Sequence, residues 1–153
     1  GFLIDYLTPD EYFQFIASIS GMSAKECEET LETFRTFLAD EVLGQKKFIR
    51  NLSAGNKQKV GIVAAMILKP QLLILDEPFN FLDPSSQSAM KHLLTQYNRE
   101  TGATILVSSH NLQHTVDICP RIALLEHGHI IRSIDNTNGE AQTELENYFQ
   151  VTD

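Results

Sequence analysis

The sequence predicts an α/β fold whose parallel strands lie in its second half. Three observations carry this. Leu72-Leu73-Ile74-Leu75 is an apolar run closed by Pro70 on one side and by Asp76-Glu77 on the other, which reads as a strand buried on both faces. Asp83-Pro84 opens a helix carrying Met90, Leu93, Leu94 and Tyr97. Gly102 then precedes a second apolar strand, Thr104 to Val107, and strand, helix, strand in alternation gives a parallel sheet.

From the amino end, Gly1 to Ile4 reads as a strand already under way, the look of a fragment. Thr8-Pro9-Asp10-Glu11 supplies an N-cap, a proline at the first helical position and an acid at the third. Tyr12, Phe13, Phe15 and Ile16 form the apolar face of that helix, and Gly21 ends it. Ser23 to Glu26 is a second capping box, leading to Leu31, Phe34 and Leu38 at helical spacing. A third helix runs from about Asn56 to Leu68. Past the second strand, a short helix starts at Asn111, and Arg121 to Leu125 and Ile130 to Ile134 flank a His127-Gly128 turn. A last helix spans Glu140 to Gln150 with Leu145, Tyr148 and Phe149 inward. The boundary between helical part and sheet falls near Lys69-Pro70, which divides the chain into 1–7, 8–69 and 70–153.

With 153 residues, 42% of them apolar, the chain is large enough to bury a core. Twelve basic residues against twenty acidic ones give a net charge of -8, and that field sets nucleic acid and anionic lipid aside as direct ligands. A phosphate ligand is still compatible with it, because backbone amides at a helix start bind anions. Cys27 and Cys119 have neither zinc spacing nor a disulfide framework, which points to a reducing cytosol. The longest apolar stretch, Ile62 to Leu68, is far short of the ~18 residues of a membrane helix, and no signal peptide is expected.

Two consecutive acids at the carboxyl end of a parallel strand lie where ligands bind in open α/β sheets. Asp76 can hold magnesium, usually through water, and Glu77 beside it can polarise an attacking water. A solvated acidic turn is the other reading. Upstream, Ser53, Ala54, Gly55 and Asn56 open a helix, either as an anion site or as an ordinary capped start. Ser108-Ser109-His110 ends the second strand, and a neutral His110 could contact a terminal phosphate or simply pack. His110 and His114 have the i, i+4 spacing of a zinc helix, with His127 and His129 nearby. No Glu follows His110 and no cysteine is suitably spaced, so zinc is set aside.

Taken in order, these pieces resemble the nucleotide-binding domain of ATP-binding-cassette (ABC) transporters. Leu52 to Asn56 is similar to the family's signature sequence, and Leu72 to Glu77 to its Walker B strand with the catalytic glutamate. Asn80 to Asp83 resembles the D-loop, and His110 the switch histidine. The resemblance implies a P-loop NTPase-type parallel sheet, incomplete here, with the inserted ABC helical subdomain. It implies ATP and Mg as cofactors, with Glu77 and His110 catalytic and Asp76 toward the metal. Ser53, Ala54, Gly55, Asn56 and Asp83 would bind nucleotide. It also implies a second nucleotide-binding domain meeting this one head to tail, a transmembrane permease subunit, and a place at the cytoplasmic face of the membrane.

Ala54 stands where the family usually has Gly, Asn56 where it usually has Gln, and Asp5 near the Q-loop glutamine. No G-x-x-x-x-G-K-[ST] occurs in the sequence, and three explanations stay open: the P-loop half is truncated away, is a separate chain, or is missing from within the numbered run. Little ATP affinity is expected without it, and the sheet should have a slot beside the strand ending at His110. The competing functions are a signature-face binding module that does not hydrolyse ATP and a chromosome-maintenance or DNA-repair ATPase. The second is disfavoured because Ile4 to Lys47 shows compact helices and no sustained heptads.

Overall fold

A computed structural model describes residues 3–139 and 141–150. Gly1 and Phe2 fall outside them, and Leu3 and Ile4 form no strand, so the expected opening strand is not found in the part that is described. Helix α1 spans Pro9–Ile19. Its start is a reciprocal cap: the Thr8 hydroxyl accepts the Glu11 N–H at 3.3 Å, and the Glu11 carboxylate accepts the Thr8 N–H at 2.7 Å. Tyr12, Phe13 and Ala17 are buried, but Phe15 is exposed, contrary to the expected inward face. At ~100° per residue Phe15 is turned ~200° from Phe13, off the buried stripe. Gly21, at φ 79°, takes the left-handed turn that ends the helix.

Helix α2, Ala24–Thr33, repeats the capping box with Ser23 and Glu26. The single helix expected to carry Leu31, Phe34 and Leu38 is broken at Phe34, and α3 is a separate turn, Arg35–Leu38. The cause is local. The Thr33 hydroxyl donates to the Thr30 carbonyl at 2.7 Å, and the Phe34 N–H turns to Leu31 O at 3.0 Å. Phe34, Phe37 and Leu38 all still reach the core. Helix α4 runs Ala54–Met66, two residues earlier at each end than expected, because Ser53 is its N-cap.

Strand β1, Leu72–Asp76, and strand β2, Thr104–Ser108, pair in parallel from Leu72 opposite Thr104 to Asp76 opposite Ser108. Helix α5, Pro84–Thr101, is the crossover. Burial of β1 on both faces is corrected: Leu73 and Leu75 are buried against the core, whereas Leu72 and Ile74 are 56% and 64% exposed. Leu106, opposite Ile74, is exposed on the same face. Only one side of this two-stranded sheet is covered by helices among the described residues, so alternate side chains stay outside.

Helix α6, Leu112–Ile118, follows β2, with Asn111 as its cap. Strands β3, Arg121–Glu126, and β4, His129–Asp135, form an antiparallel hairpin that is a sheet of its own, unpaired with β2. Its turn residues His127 and Gly128 both have positive φ, the twist that suits a tight hairpin. Helix α7, Ala141–Gln150, packs Ala141 and Leu145 against Ile134. Tyr148 is half-buried with its hydroxyl on Glu126, while Glu140 and the Phe149 side chain fall outside the described part. Phe13, Leu38, Ile49, Val60, Val63, Met66 and Met90 are fully buried in one core that joins the helices to β1. Among the described residues no helix is long and apolar enough to cross a membrane.

Candidate functional site

The parallel register puts Asp76 directly opposite Ser108, and this pairing builds the site. The Ser108 hydroxyl donates to an Asp76 carboxylate oxygen. The same hydroxyl accepts the Glu77 N–H at 3.1 Å, and the Ser108 carbonyl accepts it at 3.2 Å. Glu77 leaves the strand with φ at 47°, a left-handed turn unusual for a residue with a side chain. Its carboxylate then reaches past the end of β2. One oxygen accepts the His110 N–H at 2.9 Å, and the other lies 2.9 Å from His110 Nδ1. The His110 side chain is 74% exposed and that of Glu77 32% exposed, so the pair faces solvent at the sheet edge.

Ser53 to Asn56 form a second group. The Ser53 hydroxyl accepts the Asn56 N–H at 3.2 Å, and the Asn56 side-chain amide donates to Glu41 at 3.3 Å. Ser53 and Ala54 are exposed at the head of α4. Gly55 touches the loop after Glu77: a Cβ there would lie 2.6 Å from the Phe81 carbonyl oxygen. Gln58, one turn on, donates to the Glu77 carbonyl at 3.4 Å. The first two turns of α4 therefore grip the loop from Glu77 to Phe81 at both ends.

Asp83 is committed to its own helix. Its two oxygens accept the Ser85 and Ser86 N–H groups and both hydroxyls, at 2.6–3.1 Å. These bonds, the Ser85 and Ser86 hydroxyls first, hold its carboxyl far below the usual carboxylate range. Asp5 is exposed, and its carbonyl accepts the Arg50 N–H at 3.1 Å.

The structure thus brings Asp76, Glu77 and His110 together. It places Ser53 to Asn56 on the other side of the 77–83 loop and leaves Asp83 as a helix cap. The sequence did not single out Ser108 or Gln58. Ser108 was legible only through the strand register, and no sequence signal marked Gln58.

Asp76 is exposed, and a single carboxylate with oxygen donors suits a hard cation that also takes ligands from a phosphate substrate. Among the described residues no group of three or more His, Cys, Asp or Glu is placed to hold a metal by itself.

The sequence pattern of the ABC transporter family matches residues 6–80. Over 151 residues the chain is 33% identical to the bacitracin transport ATP-binding protein BcrA of Enterococcus faecalis, covering 96% of this chain and 46% of that protein. The chain therefore spans about half the length of that curated relative. A solved structure of the ATP-binding subunit of an ABC transporter superposes with a TM-score of 0.81 at 31% identity, covering 99% of this chain and 65% of the other. The dimeric structure of MJ0796, a bacterial ABC transporter cassette, gives 0.78 at 26% identity, covering 88% and 59%.

Proposed function

Because the chain belongs to the ABC transporter family of ATP-binding proteins, we propose that it supplies the signature turn and the hydrolytic edge of an ATPase that drives transport across a membrane. The observation that carries this is the double contact of Glu77 with His110 beside Asp76, at the carboxyl end of the parallel pair.

In this reading Glu77 is the general base. Water attacks the terminal phosphorus of ATP, its proton passes to the Glu77 carboxylate, and the bond to the bridging oxygen breaks to leave ADP. His110 holds Glu77 in place through its N–H and offers its exposed imidazole to the terminal phosphate. Magnesium bound with the nucleotide would offset phosphate charge, and Asp76 is the residue that would hold it, through water. Ser53 to Asn56 would contact nucleotide held by a second nucleotide-binding domain in a head-to-tail pair. Asp83 would serve that site by fixing the 80–83 loop onto α5.

Residues 8–69 form the helical signature subdomain in this scheme, 70–153 the C-terminal part of the ATPase core, and 1–7 the run leading in from the Q-loop strand. A permease subunit would carry the substrate, with the chain at the cytoplasmic face.

The phosphate grip must come from another segment, since the sequence contains no G-x-x-x-x-G-K-[ST]. The exposed Leu72, Ile74 and Leu106, and the open edge of β2 among the described residues, give such a segment a surface to cover. Fluorescent-ATP titration tests the reading. The 153-residue chain alone should show no binding below millimolar concentration, and addition of the P-loop portion should bring micromolar binding. Micromolar affinity of the chain alone would overturn this division of labour.

A further inference from the structure

His114 lies one turn beyond His110 on α6, and nothing in the hydrolytic scheme uses it. Its ring stacks on Phe79 with centroids 4.4 Å apart and planes 30° from parallel. Phe79 is buried in the turn just after Glu77, where the Asn80 N–H returns to the Glu77 carbonyl at 3.2 Å. A single ring contact therefore joins the segment that carries Glu77 to the helix that follows His110. The His110 side chain of that pair is 74% exposed and has little packing of its own to set the spacing. A second fact marks His114 out: its Nδ1 is fully buried and has no hydrogen-bond partner. A buried polar atom left unpaired in this way calls for an explanation.

We propose that His114 is a positioning residue for the Glu77–His110 pair, holding α6 against the turn after Glu77 by its neutral, stacked ring. The proposal rests on the catalytic reading of that pair for its functional meaning, though not for its geometry. The titratable and charged groups that act on the ring are Lys91 from α5, Asp117 from α6, Glu77 from the end of β1, and His110. Burial and then Lys91 disfavour the imidazolium, while Asp117 and Glu77 favour it; burial wins, and the group titrates below the usual histidine range. Lys91 is itself tied to Asp117 at 2.5 Å, which offsets part of what Asp117 offers the ring. The sign follows. A folded-state value below the unfolded one means the neutral stack is at full strength above the ordinary histidine pKa of about 6.5. It is lost as pH falls through the depressed value.

Amide hydrogen exchange by NMR on the 153-residue chain tests this without any nucleotide. The His110 N–H donates to Glu77, so its protection, corrected for intrinsic exchange, reports the spacing directly. We expect His114→Ala to lower that protection about tenfold with the core amides of Val63 and Leu94 unchanged, and His114→Phe, which keeps the stack, to restore it. Wild-type protection should fall below the His114 titration, while that of His114→Phe stays flat. Unchanged protection in His114→Ala, or identical pH profiles for wild type and His114→Phe, would overturn the proposal. If His114→Ala does not fold, the comparison of wild type with His114→Phe decides alone. Full turnover of Glu77→Gln in a completed cassette would instead refute the catalytic reading and leave the exchange result standing.

Discussion

Ser53 caps α4 through an amide three residues away, whereas Glu77 reaches its partners on Ser108 and His110 across 31 and 33 residues of sequence. The first arrangement forms on any chain that starts a helix there, because donor and acceptor are neighbours before folding. The second exists only once β1 and β2 have paired in one register. A slip of one residue would turn Asp76 and Ser108 to opposite faces. The two regions meet at the 77–83 loop, where Gly55 and Gln58 of the local unit press on the carbonyls of the long-range one. The lesson is that a helix-start turn can be locally encoded while the carboxylate cluster beside it is an outcome of sheet assembly.

The sharpest way to separate the regions is Glu77→Gln in a cassette completed with its P-loop portion. The amide cannot take the water's proton, so phosphate release should fall about 10²-fold or more while nucleotide binding persists. Turnover near that of the parent would move the base elsewhere. Ser53→Arg should do the reverse, leaving binding of the first nucleotide intact and blocking closure of the ATP-bound pair. Sedimentation of the nucleotide-bound dimer checks this, and an undiminished dimer would remove Ser53 from the shared site.

Gly55→Ala tests the junction. The added methyl meets backbone at 2.6 Å, and no flexible side chain can move aside. Overpacking of this kind costs about 1–3 kcal/mol, read as a lower urea midpoint for the chain. An unchanged midpoint would show that the α4 start and the 77–83 loop separate easily.

Thr8→Ala removes a side-chain cap of the same local type as Ser53. Loss of such a cap is worth ~1 kcal/mol, and it should leave the Glu77–His110 contact untouched. A change in His110 amide protection would contradict the independence of local and long-range units.

The smallest effect is expected from Lys91→Met, which breaks the pair with Asp117 that fastens α6 to α5. Lys91, by its hydrogen bond first, holds the Asp117 carboxyl below the usual range. A carboxyl depressed in the folded state adds stability above its unfolded value of about 3.9, and that gain is lost as pH falls through the folded value. Both side chains are part exposed, at 22% and 35%, so screening limits the loss to about 0.5–1 kcal/mol at neutral pH. The difference between Lys91→Met and wild type should vanish in strong acid. A difference that persists there would assign the effect to packing of the lysine stem.

Much of the fold was legible because its signals are short-range. The capping boxes at Thr8 and Ser23, the Asp83-Pro84 start, the apolar runs of the two strands and the His127-Gly128 turn each depend on neighbours in sequence. Two helical details were missed for reasons equally local but weaker in the pattern. The Thr33 hydroxyl diverts the Thr30 carbonyl and breaks the helix at Phe34, and Phe15 falls off a stripe that its apolar character suggested.

The sequence by itself determined the identity and order of the Ser53–Asn56 helix start, the acidic strand end and the histidine, since each is a compact run of residue types. Only the tertiary structure decided that Ser108 bridges Asp76 and Glu77, that a Cβ at Gly55 would crowd the Phe81 carbonyl, and that His114 stacks on Phe79. It also decided that Leu72 and Ile74 face outward. Those facts depend on distances between segments far apart in the chain. The free energy that sets such distances comes from burying a shared core, which no local run of residues encodes.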